Sequence, residues 1–240
     1  MNTALFNKVV HPLRRGLHDL AGLLLPRRCA GCDDVLRSTE QAICLVCLED
    51  LPRARFTDAT DNPVARIFWG RAELAGATAL LHFDKRGLAQ RLLHRLKYKG
   101  DKAVGRELGR LLGNELTTAE GMPAVDVVLP VPLHPRKERE RGYNQSALIA
   151  EGVREALGLA GHGPLLERVV HTASQTRKGR AERWVNVKEA FHVRDHALLR
   201  DRHVLLVDDV VTTGATLESC ALALQQVPGT RVSVATVAFA

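Results

Sequence analysis

At 240 residues the chain has room for one sizeable α/β domain, or for a somewhat smaller domain with an appendage. Hydrophobic residues make up 45%, which excludes global disorder, and aromatics at 4% argue against a surface of stacking platforms for single-stranded nucleic acid. The net charge of +7 favours anionic partners, from phosphorylated small molecules to nucleic acid, without choosing between them. Along the chain, residues 1–25 read as an amphipathic helix that stops at Pro26. The apolar run Leu20 to Leu25 is too short for a secretory core and no small-residue cleavage signal follows it. No stretch approaches the roughly 18–20 apolar residues of a membrane span. Docking of the leading helix on a membrane surface stays an alternative, and the expected location is the cytoplasm.

Four of the five cysteines form a pattern: Cys29 and Cys32, eleven intervening residues, then Cys44 and Cys47. A C-x2-C pair presents two thiolates from one tight turn, and two such knuckles supply the tetrahedral sulfur cage that zinc favours. Four sulfur ligands leave no open position for water, so the expected zinc is structural. Two disulfides are the competing reading, improbable in a reducing compartment. A redox C-x-x-C is another, but it needs only one pair. Cys220 stands alone in a helical stretch and reads as core.

The zinc module is placed at residues 1–52 together with the leading helix, and the polar stretch Arg53 to Pro63 reads as a linker to a domain spanning 64–240. Alternation around Ile67–Trp69 and Ala77–Phe83 predicts a small antiparallel pair. Helical periodicity runs from Leu88 to Leu96 and from Val104 to Leu116. Asp126 to Leu133 reads as a buried strand ending in a proline turn, Ser146 to Leu157 as a helix stopped by Gly158. Val204 to Val207 is a continuous apolar run, Thr216 to Gln226 a helix, and Arg231 to Phe239 a terminal strand. Strands alternating with helices predict a doubly wound parallel sheet.

In such sheets, ligands bind beyond the carboxyl ends of the strands, where Asp208 and Asp209 sit. The next residues, Val210 to Thr216, turn into a helix start, whose free N–H groups and positive dipole end suit a phosphate. Gly214 permits close approach, Thr212, Thr213 and Thr216 add hydroxyls, and Ala215 keeps the turn small. Two carboxylates just upstream can accept hydrogen bonds from vicinal hydroxyls. The expected ligand is a phosphorylated sugar, with a magnesium-binding strand end as the alternative.

Val204–Thr216 resembles, position for position, the phosphoribosyl diphosphate (PRPP) signature of type I phosphoribosyltransferases: four apolar, two acidic, two apolar, two hydroxylic residues, then Gly, a small residue and Thr. More of the chain is similar to the ComF family, phosphoribosyltransferase-like proteins linked to DNA uptake in natural transformation. The features that carry this likeness are, in order, the four-cysteine module, Leu96 to Asp101, Val131 to Arg136, Arg139, Arg141 to Ser146, Gln175, Glu182-Arg183, Asn186-Val187 and Ala190-Phe191. The resemblance implies a type I phosphoribosyltransferase fold with a hood, PRPP bound with Mg²⁺, and single-stranded DNA and the DNA-uptake machinery as partners. It makes Asp208 and Asp209 the residues that orient the ribose and stabilise positive charge developing on it. It also implies a pyrophosphate loop from Pro130 to Arg136, and Arg136, Lys137, Arg139 and Arg141 supply positive charge for a diphosphate and its Mg²⁺, the arginines through guanidinium forks. A solvated charged loop is the competing reading of that stretch. Asn144 and Gln145 either touch ligand or cap the following helix. Residues His171 to Arg183, with Gln175 and Arg183, correspond to a hood loop that closes over PRPP. Here the chain departs from the family, with Arg177-Lys178 where Gly-Leu is usual. Thr212 stands where guanine-type relatives place an Asp that handles a base proton. No base-recognising segment is evident, so a transfer reaction to an unidentified base or amine is the alternative to a PRPP-binding role.

Overall fold

The computed structural model describes residues 26–168 and 190–240. The expected leading helix and the hood segment with Gln175 and Arg183 lie outside the described residues. The chain divides into two compact units, Met1–Glu49 and Asp50–Ala240.

In the first unit, a tight turn from Cys29 to Asp33 is closed by the Cys29 and Ala30 amides, which donate to Asp34 O and Ala42 O at 2.7 and 2.8 Å. Asp33 takes a positive φ of 67°, a left-handed position that Asp tolerates better than most side chains. Arg28 and Val35 pair across this knuckle, and the second knuckle leads into the short helix α1 (Leu45–Glu49). The Glu40 carboxylate receives the Arg37 and Leu45 amides at 2.6 and 3.0 Å, so one acid ties the loop to the helix start. Those two amides hold its carboxyl below the usual range.

The second unit is built on β1 (Gly76–His82), β2 (Val127–Pro130), β5 (His203–Val211) and β6 (Arg231–Phe239), which form one parallel sheet in the order β1-β6-β5-β2. A separate antiparallel pair joins β3 (Leu166–Arg168) to β4 (Phe191–Val193). Helices are α2 (Pro63–Arg66), α3 (Leu88–Tyr98), α4 (Lys102–Leu116), α5 (Pro135–Arg141), α6 (Gln145–Leu157) and α7 (Ala215–Leu224). One face of the sheet, carrying Ala77, Ala79, Val204, Leu206, Val232 and Val234, is covered by Phe68 and by Leu217, Cys220 and Leu224 of α7. The alternate positions Leu80, Val128, Leu205 and Val207 are equally buried and face α4 and α6. Each fully buried Leu or Val contributes about 1.5–3 kcal/mol relative to exposure. Burial on both faces therefore explains why β5 reads as an unbroken apolar run. Cys220 is fully buried in the core, as its helical setting predicts.

Helices α4 and α6 touch backbone to backbone. A Cβ on Gly109 would lie 2.1 Å from Ile149 O, and one on Gly152 2.1 Å from Arg106 O, so only glycine fits either place.

Two local expectations change. Ala77–Phe83 does contain a strand, but β1 runs parallel to β6, with Gly76 opposite Ser233, while Ile67–Trp69 forms no strand. Asn62 is the cause: its side chain accepts the Val64 and Ala65 amides at 2.9 and 3.0 Å and starts α2, after which the chain turns with Phe68 buried and Trp69 exposed. The stretch expected as a linker is stitched to the sheet instead. Ala54 N donates to Leu80 O at 2.9 Å, Ala77 N to Ala59 O at 2.7 Å, and the Asn62 amide to Ala77 O at 2.7 Å. Bonds of this kind run mostly between backbone groups distant in sequence, so the polar composition of the stretch carries no sign of them.

Candidate functional site

Two constellations carry chemistry, one in each unit. In the first, the Sγ atoms of Cys29, Cys32, Cys44 and Cys47 all lie within 4.8 Å of one another. Amides of Gly31 and Cys44 point at Cys29 Sγ from 3.3 and 3.2 Å, and the Cys47 amide points at Cys44 Sγ from 3.5 Å. Burial alone would raise the Cys29 thiol, yet the amides of Cys44, Cys32 and Gly31 bring it down to about 7. Cys47 is driven the other way by burial and by sharing its proton with the neighbouring sulfurs. Four sulfurs this close cannot all ionise unaided, whereas amides aimed at thiolates and a closed sulfur set fit a tetrahedral metal such as zinc.

In the second unit, β5 ends on the acid pair. Asp208 Oδ1 accepts both the Ser146 hydroxyl at 2.7 Å and the Asp209 amide at 2.8 Å. Burial first, and then the negative charge of Asp209, push the Asp208 carboxyl up to about 7, against the pull of Ser146, the Asp209 amide and Lys97. Asp209 is 5% exposed and forms an ion pair with Lys97, Nζ to Oδ2, at 2.6 Å. Lys97 stands in the last turn of α3, so the acid pair is held by two helices that the sequence separates widely from it.

Beyond the acids the chain turns through Thr212 and Thr213, both exposed, to Gly214 at φ 71°, the N-cap of α7. Among the described residues no side chain caps this ten-residue helix, and Ala215 and Thr216 in its first turn are exposed. The turn thus offers hydroxyls and uncapped amides beside two carboxylates. Gly214 serves a close approach of a different kind from the one expected. A Cβ there would lie 2.7 Å from Ile67 Cγ2 and 2.9 Å from Phe68 Cε1, so glycine lets the turn settle on the segment after α2. From that segment Arg71 donates to Thr213 O at 2.7 Å and reaches Glu218 of α7 at 3.1 Å, clamping the turn from behind.

The basic stretch expected as a loop is a single short helix, α5. His134 caps it by accepting the Arg136 amide at 3.2 Å, Pro135 occupies its first turn, and Gly142 at φ 81° ends it. Arg136 is exposed and pairs with Glu140 at 2.9 Å. Arg141 instead lines a cleft of about 350 Å³ with Lys97, Tyr98, Lys137, Glu140 and Tyr143. It bonds to Gln145, which is buried. Asn144 acts as the cap of α6, accepting the Ser146 amide at 3.0 Å while donating to Val131 O at 2.9 Å. Val131 N in turn donates to Val207 O at 2.9 Å, so this cap fixes the α6 start, and with it Ser146, next to the acids.

The structure therefore brings together Asp208, Asp209, Thr212, Thr213, Gly214, Ala215 and Thr216, and places Arg141 in a cleft that shares Lys97 with the acid pair. It leaves Arg136 on the surface and gives Asn144 and Gln145 structural partners. Sequence reasoning assigned no role to Lys97, Ser146 or Arg71. The first two lie inside quoted motifs, but nothing in the order of residues connects them to a strand end 62 or more positions away.

Residues 163–240, which hold β5, the acid pair, the threonine turn and α7, match the phosphoribosyl transferase domain family. Together with the parallel sheet they give the second unit a phosphoribosyltransferase-like fold. The chain is 35% identical over 133 residues to the DNA utilization protein YhgH of Salmonella typhi, covering 54% of this chain and 58% of that one. It is 31% identical over 142 residues to competence protein F of Haemophilus influenzae, covering 56% and 61%. With competence protein ComFC of Bacillus subtilis it shares 34% identity over 98 residues, covering 41% and 38%. The matches span less than two thirds of each relative's length. These homologues and the domain match make the chain similar to competence and DNA-utilization proteins that share a phosphoribosyl transferase domain. No helix among the described residues is long and apolar enough to cross a membrane.

Proposed function

We propose that the chain binds PRPP with Mg²⁺ and serves the handling of DNA during uptake. The observation that carries the binding half is the adjacency of paired carboxylates at the end of β5 to the uncapped start of α7 across a threonine turn. A 5′-phosphate takes the amides and hydroxyls of Thr212 to Thr216, because a helix start offers unpaired N–H groups and the positive end of a dipole. The ribose diol donates to Asp208 and Asp209. The diphosphate, with its Mg²⁺, lies towards Arg141, with Arg136 available from the surface and Gln175 and Arg183 contributed from the hood segment. Ionised Asp208 and Asp209 would also stabilise positive charge at the anomeric carbon, so the same pair suits transfer chemistry if an acceptor is supplied. The role in DNA uptake rests on the names of the relatives, and the net charge of +7 suits single-stranded DNA as a partner. Zinc in the four-sulfur site holds the first unit together, and its thiolates suit a reducing, cytoplasmic setting.

Calorimetric titration of PRPP with Mg²⁺ tests this directly. Wild type binds, and Asp209→Asn, which loses a charge-assisted acceptor, binds about 10- to 100-fold more weakly. An absence of binding in wild type would remove the proposal. Pyrophosphate released from PRPP in the presence of one base or amine would assign a transferase activity to the same site.

A further inference from the structure

Lys97 faces two ways. Its ammonium lies 2.6 Å from Asp209 Oδ2, and the same side chain lines the cleft with Tyr98, Lys137, Arg141 and Tyr143. A second cation on that wall is held: Arg141 bonds to Gln145 and lies over the Tyr98 ring at 5.7 Å. Tyr143 is fixed by its hydroxyl on Leu96 O and by Lys102 over its ring at 5.2 Å. Lys97, by contrast, is a point charge on a flexible four-carbon stem at a helix end, with Asp209 as its ion-pair partner.

We propose that Lys97 is a positioning residue that couples the two halves of the site: its ammonium moves from Asp209 to a diphosphate entering the cleft, and the ribose hydroxyls replace it on Asp209. This rests on the PRPP reading above and adds to it a reason for the two halves to bind together. A diphosphate that draws Lys97 away leaves Asp209 as a buried carboxylate without its cation, which is costly unless another donor arrives. A diol that reaches Asp209 must displace the ammonium, which then needs an anion. Each ligand half removes the obstacle met by the other, and such mutual help is a coupling free energy, equal in both directions. Lys137 and Arg141 keep the cleft attractive to the anion throughout, while Glu140, the one carboxylate lining it among the described residues, is engaged by Arg136 at 2.9 Å.

The test uses the two halves separately: inorganic pyrophosphate with Mg²⁺, and ribose 5-phosphate, each titrated into the full-length protein with and without the other. In wild type, saturating pyrophosphate tightens ribose 5-phosphate binding about tenfold, and the reverse titration gives the same factor. Lys97→Met brings that factor below about twofold. Lys97→Gln, which still offers Asp209 a hydrogen-bond donor and so protects the fold, does the same. Lys99→Met, on the exposed neighbour, keeps the wild-type factor. Independent binding of the two halves in wild type, or coupling that survives both Lys97 variants, overturns the proposal while leaving the PRPP reading intact. If neither half nor PRPP itself binds wild type, the PRPP reading fails and this proposal falls with it.

Discussion

The two units of this chain reach order by different routes. The sheet unit buries both faces of β5 and β6 under helices, so its stability comes from many apolar contacts distributed along the chain. Among its described residues, the first unit buries few large apolar side chains. Its centre is four sulfurs within 4.8 Å of one another, approached by three amides. A segment this short excludes little apolar surface from water to offset the entropy of ordering it, and its four clustered sulfurs could hold a metal that supplies the difference. The site follows the same division, because the sheet unit's rigidity holds the acid pair and the threonine turn.

The sharpest way to break this comparison is to remove the metal. Structural zinc contributes about 10–16 kcal/mol to small zinc modules near neutral pH. Treatment with a chelator, or Cys44→Ser, should therefore abolish hydrogen-exchange protection of the Cys29, Ala30 and Leu36 amides. The amides of Leu205 and Val234 should keep theirs. If the sheet amides lose protection equally, or the module stays protected without metal, the contrast is wrong. A smaller effect is expected inside the sheet unit from Gly214→Ala, which meets both a φ of 71° and Ile67 Cγ2 at 2.7 Å. It should lower stability by about 1–3 kcal/mol in urea denaturation and weaken PRPP binding, without touching the zinc content. Unchanged stability would mean that the turn does not rest on Ile67 and Phe68 in solution.

A third effect concerns proton linkage at Asp208. Its folded pKa is raised to about 7 by burial and by Asp209, so the native state holds a proton that the unfolded chain releases near the ordinary carboxylate range. The stability this gives is complete below about pH 4 and is lost as pH rises through 7, with a slope of at most about 1.4 kcal/mol per unit. Asp208→Asn should flatten that part of the stability profile. Affinity for PRPP should move oppositely in wild type, strengthening as pH passes 7, because the ionised carboxylate is the better acceptor. A flat affinity profile between pH 6 and 8 would show that the proton is not where burial places it.

Much of this architecture was legible from residue order. The apolar run before Asp208 marked a central strand, the turn Thr212 to Thr216 marked a helix start, and Arg231–Phe239 was found to the residue. The cysteine spacing pointed to the cluster that the fold forms. What stayed hidden were pairings made by topology. The parallel partnership of β1 with β6 joins residues far apart in the chain, and period-two alternation carries no sign of strand direction. Residues 53–63 looked like a linker because hydrogen bonds from backbone to backbone leave no trace in side-chain composition. Lys97 and Ser146 meet the acid pair only after α3 and α6 have docked, so their part could be read only in three dimensions. Gly214 was expected to let a ligand approach, whereas the contacts residue order did not show are those that let the turn rest on Ile67 and Phe68.

The contact between Gly109 and the carbonyl of Ile149, and that between Gly152 and the carbonyl of Arg106, leave α4 and α6 no room to slide past each other. α6 also begins with Ser146, the hydroxyl donor to Asp208. The seam of glycines thus acts as a mechanical datum for the site: α6 is a fixed post, and whatever moves when a ligand arrives must move against it. Lys97 stands outside that seam, whereas Ser146, and through it Asp208, is tied to it.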